Sequence, residues 1–300
     1  MGLIAAGIAL LIGGAVLPDV HWSSGAGEAE SVEVVAVKPD DVQRMTVPVQ
    51  LGSQGPFRFL VDTGSQTTVV ATEVAERLAL PIGRTARLVG VGGTAIAPTA
   101  RVGRIALGRR NYDDVEVALL NGQNIGAQGI LGTDSLQGQR LLIDFGRGVI
   151  ALSDARTPVS ADGFDIVVTA RRRFGQLIMA DATIDGVATS VVIDTGSDTS
   201  IGNRALFRAM SRRRTATTSN LISVTGQQIT ADMILAGRLD VGGISINQPL
   251  LAFADSPVFE RLHLAKRPAL LLGMRELRAF RRVAVDFSTR RIFFDLPGGI

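Results

Sequence analysis

Phe59-Leu60-Val61-Asp62-Thr63-Gly64-Ser65 returns later in this chain as Val191-Val192-Ile193-Asp194-Thr195-Gly196-Ser197. Each copy is an apolar run that ends in a carboxylate, followed by a small hydroxyl residue, a glycine and a serine. The run predicts a buried strand and the D-T-G-S a sharp loop at its end. Placing an Asp at the tip of a hydrophobic strand is costly unless something pairs with it or uses it. A lone D-T-G is a weak motif. Two copies with matching flanks imply that the two acids serve each other.

The match extends outward from the motif. Val32 to Val37 and Phe164 to Thr169 each read as a strand, as do Met45 to Leu51 and Leu177 to Ile184. Each of the latter enters a turn, Gly52-Ser53-Gln54-Gly55 in one copy and Asp185-Gly186 in the other. The second is a strong two-residue hairpin signal, because both residues tolerate positive φ. Beyond each motif the pattern predicts a helix, capped by Thr72 and running through Leu80, or capped by Asn203 and running through about residue 213. A Gly-containing hairpin follows, Val89-Gly90-Val91-Gly92-Gly93-Thr94 or Val224-Thr225-Gly226-Gln227. Then come Gly129-Ile130-Leu131-Gly132 and Leu270-Leu271-Leu272-Gly273, each leading into a short helix. A strand pair closes each copy. Residues 31–155 and 163–297 are thus read as a duplication, joined by a connector at 156–162. Asp144 and Asp286 also repeat and are read as structural, beginning a turn or pairing with an Arg.

Composition narrows the chemistry. The chain has 300 residues, 46% hydrophobic and 20% charged, with a net charge of +3. That describes a globular protein able to bury two cores. The pI of about 10.1 reflects arginine, since every basic residue except Lys38 and Lys266 is Arg. The Arg clusters lack interleaved aromatics and read as solvated surface rather than a nucleic-acid site. Cysteine is absent and His21 and His263 are the only histidines. This weighs against thiolate or His-rich metal sites and against Ser-His catalysis. Leu3 to Leu17 is apolar but shorter than the roughly 20 residues of a membrane span. Residues 1–26 are therefore read as a signal peptide or short membrane anchor, with Ser24-Gly25-Ala26 as a cleavage site and 27–30 as a linker. The protein is expected to be exported to the periplasm or cell envelope, with membrane association through Leu3–Leu17 left open.

Two carboxylates a few ångströms apart share a proton, so one is a base while the other is an acid. A water between them can be deprotonated by one while the other protonates a carbonyl oxygen. No metal, cofactor or histidine is needed. Glycine after Asp-Thr lets backbone amides approach the carboxylate. Ser65 and Ser197 are expected to hydrogen-bond the carboxylates and draw the pair toward acid.

On these residues the chain resembles the pepsin/retropepsin-type aspartic proteases, and more narrowly the bacterial retropepsin-like proteins with two lobes in one chain. The resemblance covers residues 31–297 and implies a mostly β, bilobal fold with the active site between the lobes. It implies that Asp62 and Asp194 form a catalytic dyad. Thr63 and Thr195 would lock the loops by crossed hydrogen bonds, and Gly64 and Gly196 would shape them. Leu131-Gly132 and Leu272-Gly273 would pack behind, and Gly90, Val91, Gly92 and Gly93 would form a flap over an extended peptide. The implied activity is endopeptidase hydrolysis of a peptide or protein, by a monomer carrying both half-sites and no cofactor. The flap lacks the tyrosine usual in pepsins. The second hairpin, with one glycine, predicts a single working flap, and Asp198 has no assigned role. A catalytically silent peptide-binding module of the same fold is the alternative.

Overall fold

The structure is a computed structural model that describes residues 33–36, 38–39, 44–108, 110–154, 164–173, 175–179, 181–210 and 216–297. Strands dominate, and the apolar runs fall where two halves of the chain can share them. Both halves contribute three strands to one six-stranded sheet. Its order is Glu33–Ala36, Val149–Asp154, Gln139–Asp144, then Arg282–Asp286, Arg291–Asp295, Ile166–Thr169. The halves join at its centre, where Gln139–Asp144 runs antiparallel to Arg282–Asp286 with Arg140 opposite Asp286 and Asp144 opposite Arg282. Leu141, Ile143, Val283 and Val285 enter the main core on one face, and Leu142, Ala151, Ala284 and Phe293 form a smaller cluster on the other. A charged pair in so apolar a sheet must be matched. Arg140 Nη2 meets Asp286 Oδ2 at 2.9 Å, with both side chains 1% exposed.

Each half then builds its own lobe, and the strand order is the same in both. In the N-terminal lobe it is Lys38–Pro39, Met45–Leu51, Gln54–Val61, Gly129–Leu131, Val69–Ala71, Arg110–Leu120, Gly93–Leu107, Ile82–Gly90. In the C-terminal lobe it is Arg171–Arg173, Gln176–Met179, Ser190–Ile193, Ala269–Leu272, Ile201–Gly202, Leu250–Phe253, Gln228–Leu235, Thr217–Ile222. The fold is the bilobal β architecture expected from the duplication.

The central strands, buried where they reach the loops, position the site. Gln54–Val61 runs parallel to Gly129–Leu131, and Ser190–Ile193 runs parallel to Ala269–Leu272. Parallel neighbours covered on both faces favour unbroken apolar runs over alternation, which is why both copies read Phe-Leu-Val and Val-Val-Ile before the Asp.

Local expectations fared unevenly. Asp185 (φ 49°) and Gly186 (φ 81°) make the two-residue turn their sequence announces. Asn203 caps Arg204–Met210, its Oδ1 accepting from Leu206 N at 2.8 Å. Thr72 is not a cap: Ala71 holds that position without a side-chain bond, and Thr72–Arg77 is shorter than expected. Leu177 to Ile184 is two strands, Gln176–Met179 and Ala182–Ile184. Asp144 Oδ1 accepts the Arg147 amide at 2.9 Å and Asp286 Oδ1 that of Thr289 at 2.9 Å, so both begin turns. The expected export segment Leu3–Leu17, the linker 27–30 and the connector 156–162 lie outside the described residues. Among the described residues no helix is long and apolar enough to cross a membrane.

Candidate active site

Val61 and Ile193 end their strands at the lobe interface, and Asp62 and Asp194 follow directly. Strand pairing carries one step into each loop, with Asp62 N donating to Leu131 O at 3.0 Å and Asp194 N to Leu272 O at 3.0 Å. The loops are then tied across the interface. Thr63 Oγ1 donates to Ile193 O at 2.8 Å, and Thr195 Oγ1 donates to Val61 O at 2.6 Å. In return Thr63 N donates to Thr195 Oγ1 at 3.0 Å, and Thr195 N to Thr63 Oγ1 at 3.3 Å. Both threonines are 2% exposed, so neither hydroxyl has a competing water.

The two carboxyl groups approach one another around Gly64, where a Cβ would lie 2.6 Å from Asp194 Oδ1 and 3.2 Å from Asp62 Oδ1. A methyl group at Gly196 would collide with the Asp62 carboxylate. Glycine is required at both places because each loop lies against the other loop's acid. Behind them a Cβ on Gly132 would come within 2.6 Å of the Thr67 backbone, and one on Gly273 within 2.8 Å of the Thr199 backbone. Leu131-Gly132 and Leu272-Gly273 therefore pack directly behind the loops.

The serines depart from expectation. Ser65 Oγ donates to Thr67 O at 2.9 Å and Ser197 Oγ to Thr199 O at 2.8 Å. Their hydroxyls brace the loops, and backbone amides hold the acids instead. Gly64 N and Ser65 N donate to Asp62 Oδ1 at 2.8 and 2.9 Å, and Gly196 N donates to Asp194 Oδ1 at 3.1 Å.

A cavity of about 910 Å³ covers the pair. Its roof is made of the two hairpins that the sequence pattern places there. Ile82–Gly90 and Gly93–Leu107 turn at Val91-Gly92, with Gly90 opposite Gly93. Thr217–Ile222 and Gln228–Leu235 form the second hairpin, and its tip needs one positive φ, supplied by Gly226 at 81°. The tips meet. Gln227 Nε2 donates to Thr94 O at 2.9 Å, and a Cβ on Gly93 would stand 2.6 Å from Gln227 Oε1. Gly90 and Val91 line the cavity, as do Ser223, Val224 and Thr225 of the second hairpin. Gly92 and Gly93 pack on the opposing tip instead.

A family model for aspartyl proteases matches residues 47–135 and again 180–275, one match in each lobe. The chain belongs to the aspartyl protease family. It is a two-lobed, retropepsin-like member of it. No match was found among curated proteins.

The Asp62/Asp194 pair is buried, with Asp62 9% and Asp194 7% exposed. Burial raises both carboxyls above the ordinary carboxylate range. For Asp62 the rise is opposed by the amides of Gly64 and Ser65 and by the charge of Arg44. For Asp194 burial is joined by the negative charge of Asp62, and its carboxyl is pushed up to about 8. The net direction is opposite to the acid shift expected from serine hydroxyls, because desolvation outweighs the hydrogen bonds. Among the described residues no three His, Cys, Asp or Glu side chains cluster as metal ligands would.

Sequence reading missed two residues beside the Asp62/Asp194 pair. Arg44, 8% exposed, donates through Nη1 to Gly196 O at 3.3 Å and through Nη2 to Ile125 O at 2.6 Å. Gln176, 4% exposed, donates to Gly64 O. The signal was available, since Arg44 precedes Asp62 by the same interval as Gln176 precedes Asp194. Asp198 pairs with Arg275 at 2.9 Å, while its counterpart Gln66 accepts from Arg261 at 3.2 Å.

Proposed function

We propose that this aspartyl protease is an endopeptidase in which Asp62 and Asp194 hydrolyse the peptide bond. The observation that carries this reading is the pair itself: two buried carboxyls side by side, facing a roofed cavity of about 910 Å³. A singly protonated pair can hold one water between its oxygens. The ionised carboxylate takes a proton from that water as its oxygen attacks the carbonyl carbon. The protonated partner gives its proton to the carbonyl oxygen, leaving a neutral tetrahedral diol. Collapse returns a proton from the diol to the amide nitrogen, breaks the C–N bond and releases acid and amine. The raised Asp194 carboxyl keeps the singly protonated state available toward neutral pH.

The apolar cavity wall, with Val69, Leu120, Ile130, Ile201, Ile229 and Leu271, suits apolar side chains beside the scissile bond. The proposal also puts the enzyme in the cell envelope, delivered or held by Leu3–Leu17. It acts as a monomer, since one chain carries both loops. Cleavage of denatured casein between pH 3 and 9, with and without pepstatin, tests the activity. Asp62→Asn and Asp194→Asn should each abolish turnover while leaving peptide affinity in place. A folded wild-type protein that cuts nothing across that range overturns the reading.

A further inference from the structure

The main contacts of the pair repeat across the pseudo-dyad, and one of the differences carries a buried charge. At the position where the C-terminal lobe places Gln176, the N-terminal lobe places Arg44. Both enter the interface in the same register, since Thr46 pairs with Leu60 in one lobe and Ile178 with Val192 in the other. Both cross to the opposite loop and bond a glycine carbonyl there. Arg44 takes Gly196 O, whose own Cα lies against the Asp62 carboxylate. Gln176 takes Gly64 O, whose own Cα lies against Asp194. The two bridges do the same structural work, but only one brings a charge.

Resting on the peptidase reading above, we propose that Arg44 is a positioning residue that gives the dyad its direction. Its guanidinium keeps the negative charge on Asp62 and leaves the shared proton on Asp194. Asp62 is then the base that takes the proton of the attacking water, and Asp194 the acid that protonates the substrate carbonyl.

The reason lies in where the charge sits. A cation in a low-dielectric interface acts on a nearby carboxylate far more strongly than one in water. Six charged residues line the cavity: Arg44, Asp62, Arg87, Asp194, Asp198 and Arg261. Asp198 is paired with Arg275. Arg87, on the first hairpin, and Arg261, on the helix Pro257–Arg261, are exposed and screened by solvent. Arg44 alone is a buried cation among them. Its charge opposes the rise of Asp62, whereas the influences that stand out on Asp194 are burial, the charge of Asp62 and hydrogen bonds. An Arg also stays charged throughout the working range, so the bias does not fade with pH.

Carboxyl carbons labelled in all Asp residues and followed by NMR from pH 3 to 10 test this without requiring activity. Asp62→Asn and Asp194→Asn assign the two signals. In the wild type Asp62 should ionise first. In Arg44→Gln, which keeps a donor for Gly196 O but loses the charge, the Asp62 transition should rise by about one pH unit or more. The acidic limb of kcat/KM should move with it. Arg44→Lys should restore both, which a purely structural bridge would not explain. If Arg44→Gln does not fold, the wild-type order still decides. Asp194 ionising before Asp62, or an Asp62 transition unmoved in Arg44→Gln, overturns the proposal. An inactive protein whose acids titrate in the stated order would defeat the peptidase reading and leave the Arg44 assignment intact.

Discussion

In the N-terminal lobe one eight-stranded sheet runs from the dyad loop to the outer edge, whereas the matching surface of the C-terminal lobe is cut into sheets of eight and four strands. Gly93–Leu107 continues unbroken for 15 residues, and its far end pairs with Met45–Leu51 through Gln50 and Leu51. The equivalent C-terminal strand stops at Leu235 and resumes at Arg238. Ala236 and Gly237 form the corner, where Asp185 Oδ1 accepts the amides of Gly237 and Arg238, both at 2.9 Å. The return strand breaks at Gln248, with φ 51°, and at Pro249, which has no amide to give a ladder. Near the two acids the lobes agree far more closely: crossed threonines, opposed glycines and buried leucines recur in both. A contact in which each half reads the other ties both copies to one geometry. A contact within one half leaves the other free to drift.

The harshest break of that shared geometry is Gly196→Ala. Its methyl group would collide with Asp62, while the same change at Gly64 would stand 2.6 Å from a single Asp194 oxygen. Both should lower kcat/KM by at least about 100-fold, since small misplacements of reacting groups cost that much. Gly196→Ala should be the worse of the two in single-turnover assays. Equal losses would mean that the opposing acids are equally free to retreat.

A second test compares the two ends of the central strand pair. Arg140→Ala leaves Asp286 buried without its ion pair and should cost about 3–5 kcal/mol in denaturant unfolding. Arg282→Ala, at the mirror position, should cost about 1 kcal/mol. Its partner Asp295 keeps Arg281 at 2.6 Å, and Arg282 itself is 19% exposed.

Asp194 separates the lobes by pH. A carboxyl raised in the folded state contributes stability that is complete below its unfolded value near 3.8 and is lost as pH rises through about 8. Asp194→Asn removes that dependence. Its unfolding free energy should gain on the wild type by roughly 1 kcal/mol for each pH unit between 5 and 7. A constant difference over that range would contradict the raised carboxyl.

The smallest effect is expected at the roof. Gln227→Ala deletes the one side-chain bond to Thr94 O, worth about 0.5–1.5 kcal/mol. Amide exchange at Gly92 to Thr94 should quicken several-fold, with KM rising and kcat little changed. The first hairpin's amides serve as the meter, because Gln227 belongs to the second.

What could be read from residues alone follows how local each cause is. Asp185-Gly186 adopts its turn because two adjacent φ values suffice, and Asn203 caps its helix because its oxygen reaches an amide three residues on. Thr72 failed as a cap because the preceding strand Val69–Ala71 runs straight into the helix. The serine hydroxyls turned to Thr67 O and Thr199 O because those carbonyls lie two residues away and the amides already fill the carboxylates. The second hairpin was legible because one positive φ, that of Gly226, is enough for its turn, whereas its contact with the first tip was not, since Gln227 and Thr94 lie 133 residues apart.

Duplication, the apolar runs and the two D-T-G-S loops were settled in the chain itself, because each depends on neighbours a few bonds apart. Which atoms meet across the interface was decided only by folding. Arg44 reaches Gly196, and Gln176 reaches Gly64, over separations of 152 and 112 residues. Repetition in a sequence says that two halves are alike. Only their packing reveals which single unlike pair stands beside two otherwise equivalent acids, because burial turns the difference between a guanidinium and an amide into a difference in charge.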